Sequence, residues 1–404
     1  MISVAVLGYG TVGSGVVEVI EGNNALIAQR IHKNIHVKYI LDLRDFPGDP
    51  FEEKIVHDVN IILDDPEISV VCEVMGGVGA AYQFSKSALE RGKSVCTSNK
   101  ELVAAHGTEL LQIAKEHGCY YLFEASVGGG IPLIRPLVRS LAAEKIESIV
   151  GILNGTTNYI LTKMDREGAQ LETVLKEAQE LGYAERNPEA DVQGHDACRK
   201  ICILSNLMTG HFVDSAEVPT EGIMNISAED FALANVAGYT IRLLGVSRVE
   251  EEGRLSVYVA PHLVPQDHIL AGVSDVFNGI MVTGNMVGDT MYYGKGAGKL
   301  PTASAVVSDV IDAVLSEGSE IPGGWDSEKV ELWPLSETKS NFLLRVDKSL
   351  LGEMEKTFPD GSIITVSGME QQAGYLTGCV KTGDLEQALD GWKENVHGVL
   401  RILA

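Results

Sequence analysis

Three observations predict an α/β fold that opens on a parallel sheet wrapped in helices. Strand-like and helix-like patterns alternate through the first third of the chain, the rhythm of successive βαβ units. The strand candidates there are apolar nearly throughout, as expected when helices cover both faces of a sheet. The first of them, residues 2–7, runs straight into Gly8-Tyr9-Gly10-Thr11-Val12-Gly13 and then into a helical pattern. In that context the glycines form a Rossmann-type dinucleotide-binding turn. They permit a tight bend and close approach of backbone to pyrophosphate, while the helix N-terminus favours its negative charge.

Taken in order, the first third predicts strands at 2–7, 36–41, 69–74, 94–97 and 119–123, with helices including 12–20, 80–91 and 100–116. From Pro132 the alternation gives way to an α+β block. It contains a helix to about residue 141, a strand at 146–153, helices at 157–166, 171–181 and 195–209, and strands around 255–263 and 280–287. Gly294 to Gly298 introduces a helix at 302–315 whose position returns the chain to the first domain. Residues 317–338, rich in Gly, Pro, Ser and Glu, read as a linker. A small α/β module follows, with strands at 342–346, 362–367 and 375–380 and helices at 350–356 and 384–394. The expected organisation is a dinucleotide domain over 1–131 completed by 296–318, a substrate-binding catalytic domain over 132–295, and a C-terminal module over 339–404.

Bulk properties agree with several domains, since 404 residues exceed the roughly 150 of an average one. Hydrophobic residues at 45% and charged residues at 22% exclude a disordered chain. The net charge of -24 disfavours nucleic-acid backbones and anionic membranes as partners. No apolar run reaches the ~18 residues of a membrane helix, and the first strand leaves no room for a signal peptide. The expected location is therefore the cytoplasm. The six cysteines include no C-x-x-C pair, so reduced, mostly buried thiols are expected.

Chemistry-bearing residues cluster at predicted strand ends. Asp42 follows the second strand, where an acid holds the ribose of NAD, and Arg44 two residues on suits the 2′-phosphate of NADP. Both nucleotides remain open. Met75-Gly76-Gly77 and Thr97-Ser98-Asn99-Lys100 leave two further strands, where ligands bind in open α/β sheets. Lys100 reads either as a reacting-region cation or as a surface lysine. The run 124–132 carries Glu124 and three consecutive glycines, which suits either a hinge or a hard cation held by oxygen ligands. The densest polar cluster, 178–200, contains Glu185, Asp191, Asp196 and Lys200. Asp196 and Lys200 stand one helical turn apart, as a surface ion pair or as a substrate carboxylate with a proton-donating lysine.

At this cluster the chain resembles homoserine dehydrogenases. The resemblance rests on Ala178-x3-Gly182-Tyr183-Ala184-x2-Asn187-Pro188-x2-Asp191-Val192-x-Gly194-x-Asp196-x3-Lys200. Supporting runs are Gly151-x2-Asn154-Gly155-Thr156-Thr157-Asn158-Tyr159-Ile160-Leu161, Ser98-Asn99-Lys100, the 124–132 loop, and Gly296-Ala297-Gly298 before Leu300-Pro301-Thr302. It implies NAD(P)-dependent interconversion of L-aspartate 4-semialdehyde and L-homoserine, on the route to threonine and methionine. Lys200 would then be the proton donor, with Lys100 near the reacting groups. Glu185 and Asp196 would contact substrate, supported by Asp191. Gly8, Gly10, Thr11, Val12, Gly13, Asp42, Arg44, Met75, Gly76, Lys100 and Gly298 would contact the nucleotide. A structural monovalent cation, sodium or potassium, would sit at Glu124, Val127, Gly129 and Ile131. The resemblance also implies a homodimer or homotetramer, and an ACT-like C-terminal regulatory module with threonine as a candidate effector. Two departures are Asn187, where Asp is common, and Leu41, where a basic residue often precedes the aspartate.

Two other functions compete. One is a different amino-acid or semialdehyde dehydrogenase, which would not need the 178–200 spacing. The other is a catalytically silent NAD(P)-sensing regulator, against which Lys100, Asp196 and Lys200 argue.

Overall fold

A computed structural model describes residues 2–316, 318–319 and 321–403. Met1, Glu317, Glu320 and Ala404 lie outside the described residues, and with them the first residue of the expected linker and the last of the expected module. The chain runs β1 (Ile2–Leu7), α1 (Thr11–Gly22), α2 (Asn24–Ile31), β2 (Ile35–Leu41), β3 (Ile55–Val56), α3 (Asn60–Leu63), β4 (Ile68–Glu73), α4 (Gly79–Glu90), β5 (Ser94–Thr97), α5 (Lys100–Glu116) and β6 (Tyr121–Leu122). It continues through β7 (Ile146–Ile152), α6 (Gly155–Glu167), α7 (Leu171–Glu180), α8 (Glu189–Val192), α9 (His195–Thr209), α10 (Ala228–Val236), β8 (Tyr239–Val249), β9 (Leu255–Pro265), β10 (Phe277–Gly284), β11 (Gly288–Lys295) and α11 (Lys299–Leu315). The remainder is β12 (Lys339–Ser340), β13 (Phe342–Asp347), α12 (Leu351–Thr357), β14 (Ser362–Ile364), β15 (Gln372–Leu376), β16 (Val380–Lys381), α13 (Thr382–Leu389) and β17 (Val396–Ile402).

The chain divides into two compact units, one of residues 1–144, 202–213 and 294–329, the other of 145–201, 214–293 and 330–404. In the first, a parallel six-stranded sheet has the order β3-β2-β1-β4-β5-β6. β1 is buried from Val4 to Leu7, so the near-continuous apolar run reflects burial on both faces. Helix α11 packs closely on α1 because Gly15 leaves room: a Cβ there would lie 2.9 Å from the Lys299 carbonyl and 3.0 Å from Ala303 Cβ. Ala303, Val306, Val307 and Val310 thereby join the β1 and β4 valines in one core.

The second unit is built on a mixed nine-stranded sheet of order β11-β10-β7-β8-β9-β17-β13-β15-β14. Its two adjacent strand glycines, Gly151 and Gly245, are paired in register. A Cβ on Gly245 would lie 2.7 Å from Leu153 Cδ1 and 3.2 Å from Ile201 Cβ, so the missing side chain lets α9 approach the sheet. Residues 342–402 wind β-α-β-β-β-α-β; β16 pairs with β12 in a small separate sheet, and the other four strands form the antiparallel pairs β17·β13, β13·β15 and β15·β14. Their sheet is continuous with the rest through parallel pairing of β17 and β9.

Several elements depart from the pattern reading. The helix expected up to residue 141 contains a π-type turn at Pro136–Ser140, and the strand expected at 119–123 shortens to β6. The run expected as a strand at 280–287 ends in the turn to β11. Strands β8, β11 and β17 went unrecognised. All six cysteines carry thiols, five of them buried.

The expected linker is packed rather than solvated. Trp325 is 7% exposed, stacks edge-on against Phe123 at 5.5 Å, and donates from Nε1 to Thr108 Oγ1 at 2.9 Å. Gly107 makes the space, since a Cβ there would lie 2.6 Å from the indole. Leu332 bridges to Leu255 in the second unit. One buried indole outweighs the turn-rich composition around it. Trp325→Ala is expected to cost about 3 kcal/mol in urea unfolding, as large-to-small core changes do; a loss under about 1 kcal/mol would mean that this segment is not anchored.

Candidate active site

In the second unit the 178–200 cluster becomes a buried charge network. Gly194, at φ +82 with its Cβ position hemmed in by Thr220, the Glu221 carbonyl and Val259, turns the chain into α9. One turn later Asp196 and Lys200 are 2% and 6% exposed. Lys200 Nζ donates to Asp196 Oδ2 at 2.7 Å and to the Leu153 carbonyl at 2.6 Å. The surface-ion-pair alternative is therefore corrected: both groups are taken from water, where an unmatched partner is costly.

Asn154 joins the pair to β7. Its Oδ1 accepts from the Thr157 amide at 2.8 Å and caps α6. Its Nδ2 donates to Asp191 Oδ1 at 2.7 Å and to Asp196 Oδ2 at 2.9 Å. One amide thus gathers two carboxylates flagged from sequence. Glu185 stands on an exposed turn, its carbonyl accepting from Gln179 Nε2 at 3.2 Å. Nearby, Thr156 Oγ1 donates to the carbonyl of half-exposed Tyr183 at 2.7 Å. A cluster of this kind can hold an ammonium on its carboxylates and deliver a proton from lysine.

In the first unit the glycine turn has the shape a pyrophosphate requires. Gly8 sits at φ +96, a Cβ on Gly13 would lie 1.8 Å from the Gly8 carbonyl, and the space beside Gly10 is open within 4 Å. Helix α1, with Thr11 and Val12 in its first turn, has no acidic residue there, so no side chain of that turn offsets its positive end. These features fit a dinucleotide. Asp42 Oδ2 accepts from the Tyr9 amide at 2.8 Å, tying the turn to β2. Arg44 folds back on Asp42, donating from Nε at 2.9 Å and from a terminal nitrogen at 3.0 Å. Its guanidinium also lies 5.0 Å over Phe46. The Arg44 hydrogen bond, followed by the Arg44 and Tyr9 amides, holds the Asp42 carboxyl well below the usual range.

Met75, Gly76 and Lys100 occupy the ends of β4 and β5, as expected. Lys100 begins α5, which Asn99 caps by accepting from the Leu102 amide at 3.1 Å. Gly298 starts α11 at φ +124, ψ 154, a region open essentially to glycine alone.

The proposed cation loop is tightly held within the first unit. Glu124 accepts from the amides of Leu133 at 2.6 Å, Ile134 at 2.9 Å and Arg135 at 2.8 Å. Arg135 pairs with Asp309 at 2.8 Å, with Asp312 and, at 3.8 Å, with Glu124, so one guanidinium serves three carboxylates. Burial pushes Glu124 up and Asp309 well up. Gly128 and Gly129 lie at φ +75 and +56, turning the loop through Val127 and Ile131. A Cβ on Gly129 would be 2.4 Å from the Gly296 carbonyl. The surplus of carboxylates over guanidinium here leaves negative charge that a cation could balance.

Two residues escaped the sequence reading. Asn154 was visible as an Asn before a helical run, a capping signal, but not as the tie between two acids. Glu73 is a lone carboxylate at the end of an apolar strand, 0% exposed, and the apolar pattern drew attention away from it.

Family models described as "Homoserine dehydrogenase" and "Homoserine dehydrogenase, NAD binding domain" match residues 132–311 and 8–124. A homoserine dehydrogenase from Synechocystis sp. is 45% identical over 319 residues, covering 78% of this chain and 73% of the relative. The crystal structure of a homoserine dehydrogenase from Thiobacillus denitrificans superposes with a TM-score of 0.91 at 34% identity, covering 100% of this chain and 98% of that one. A hyperthermophilic archaeal homoserine dehydrogenase mutant in complex with NADPH gives 0.67 at 28% identity, covering 78% and 98%.

Asp196→Asn removes the counter-charge of a buried ammonium and is expected to cost about 3 kcal/mol in chemical unfolding. Adding Lys200→Met should recover most of that loss, because the ammonium is then gone too. Equal stability of the single and double variants would contradict the pairing.

Proposed function

The chain belongs to the homoserine dehydrogenase family, NAD(P)-dependent oxidoreductases that interconvert L-homoserine and L-aspartate 4-semialdehyde, and on that premise we propose how its residues divide the work. The observation that carries the proposal is the buried Lys200–Asp196–Asn154–Asp191 network. Bound reduced nicotinamide supplies a hydride to the aldehyde carbon. Lys200, oriented by the Leu153 carbonyl and Asp196, donates the proton that neutralises the developing alkoxide. Asp196, Asp191 and Glu185 receive the substrate ammonium, and exposed Glu185 is the one able to swing onto it. Lys100, at the end of β5, adds positive charge to the reacting region.

Gly8, Gly10, Thr11, Val12 and Gly13 hold the pyrophosphate, with Met75, Gly76 and Gly298 as further contacts. We infer that NAD is preferred to NADP. Asp42 is ionised and already engages Arg44, so a 2′-phosphate would meet a carboxylate before it found a free guanidinium. A structural sodium or potassium ion at Glu124, Val127, Gly129 and Ile131 is supported by the surplus of carboxylates. The four antiparallel strands β17-β13-β15-β14 of 342–402, with α12 and α13 between them in sequence, support an ACT-like regulatory module. Cytoplasmic location, a homo-oligomer, and a place in threonine and methionine synthesis complete the reading; among the described residues no helix is long and apolar enough to cross a membrane.

The deciding assay gives the protein homoserine with NAD+ or NADP+ and follows absorbance of the reduced nucleotide. Turnover is expected, faster with NAD+; none with either, in folded protein, overturns the proposal. Lys200→Ala should lower kcat by about a thousandfold or more while nucleotide affinity changes little, and a variant retaining most of its kcat would remove Lys200 from the mechanism. Arg44→Ala should leave kcat/KM for NAD+ within about threefold and reduce that for NADP+ by about tenfold, because Asp42 then faces the 2′-phosphate without its counter-charge. Equal effects on both would remove Arg44 from phosphate recognition.

A further inference from the structure

Glu73 lies at the carboxyl end of β4 with no solvent exposure. Its Oε1 accepts from the Met75 amide at 2.8 Å and its Oε2 from Thr97 Oγ1 at 2.6 Å. Met75 lies in the turn after β4 and Thr97 is the last residue of β5, so the two partners border the segments that carry Met75, Gly76 and Lys100. The same turns are stitched together further out. Thr97 Oγ1 accepts from the Asn99 amide at 2.9 Å, and Asn99 Nδ2 donates to the Gly77 carbonyl at 2.7 Å. Asn99 then caps the helix that Lys100 begins.

A carboxylate is the one side chain of this length that accepts on both oxygens. An apolar residue would strand the Met75 amide and the Thr97 hydroxyl, and a glutamine would replace one acceptor by a donor. β-Sheet pairing does not need Glu73: its backbone is already in register with Leu7 and Thr97. The side chain is spent on the loops beyond the strands.

We propose that Glu73 is a positioning residue for nucleotide binding, clamping the turns after β4 and β5 so that Met75, Gly76 and Lys100 meet the nicotinamide half of the cofactor in one fixed arrangement. The inference rests on the assignment of those three residues as cofactor contacts. Burial raises the Glu73 carboxyl to about 7, against the opposing pull of Thr97, the Met75 amide and Asn99. The titratable group facing it from β6 is the buried Tyr121 phenol, while β5 presents neutral Thr97 and β1 presents Leu7. Below about pH 7 the acid form turns one acceptor oxygen into a donor, and either the Met75 amide or the Thr97 hydroxyl loses its partner. Nucleotide affinity should therefore weaken as pH falls through that range and be complete above it.

The test titrates NADH into the full-length protein, without substrate, and reads Kd from quenching of protein fluorescence between about pH 5.5 and about pH 8.5. NADH is chosen because it lacks the 2′-phosphate, whose own second ionisation near pH 6 would mimic the effect. The unmodified protein is expected to bind more weakly at the acid end. Glu73→Gln should weaken Kd by about tenfold at the alkaline end, the consequence of a buried donor left unsatisfied, and should flatten the pH profile. Thr97→Val, which removes one donor and keeps the acid, should weaken Kd by a smaller factor and decides the matter if Glu73→Gln does not fold. Wild-type Kd and pH profile in folded Glu73→Gln, or wild-type Kd in folded Thr97→Val, would overturn the proposal, as would weakened binding of Glu73→Gln with an unchanged pH profile, the mark of a merely structural role. Lys100→Ala distinguishes the two layers of inference: if it binds NADH as tightly as the unmodified protein, the cofactor assignment itself fails.

Discussion

The buried ammonium of Lys200 is the constraint around which the second unit is arranged. A charge with 6% exposure must find its counter-charge and acceptors within reach, because water cannot supply them. Asp196 stands one turn back along α9, and the Leu153 carbonyl lies beyond the last paired residue of β7. Asn154 ties both to Asp191. These contacts require α9 to lie unusually close to the sheet, which Gly245 allows by presenting no side chain to Leu153 and Ile201. A glycine buried in a strand, normally a weakness, is here what brings the lysine to the backbone carbonyl.

The first unit solves a different problem with similar means. Its strands carry no chemistry along their length; their ends do. Gly8, Asp42, Glu73, Thr97 and Gly298 all sit where regular structure stops and unpaired backbone groups are available. Asp42 closes the glycine turn by accepting the Tyr9 amide, and Arg44 compensates the charge that remains. Glu73 performs the corresponding closure between the next two strand ends. In both cases a carboxylate organises amides instead of reaching directly for a ligand. A surrounding sheet holds its strands in register and leaves the loops to be fixed separately.

Charge is handled unevenly in the region of Glu124. Three carboxylates share Arg135, and burial raises the proton affinity of Glu124 and Asp309. Such a cluster holds more carboxylate than its one guanidinium can neutralise, which is why burial raises these acids. The tight approach of Gly129 to Gly296 fixes the loop irrespective of which counter-charge it holds.

Local pattern by itself determined the parallel sheet, the glycine turn, helices α5 and α9, and the one-turn spacing of Asp196 and Lys200, because each is written in a few consecutive residues. Its failures share a physical cause: they depend on partners distant in sequence. β8, β11 and β17 are strands because of what they pair with, and Trp325 anchors a turn-rich segment because Gly107 leaves it a slot. Burial of the Asp196–Lys200 pair, the gathering of two acids by Asn154, and the role of Glu73 likewise belong to the tertiary structure. A sequence places a carboxylate at a strand end; only the folded chain decides whether water, an arginine or two loops will satisfy it.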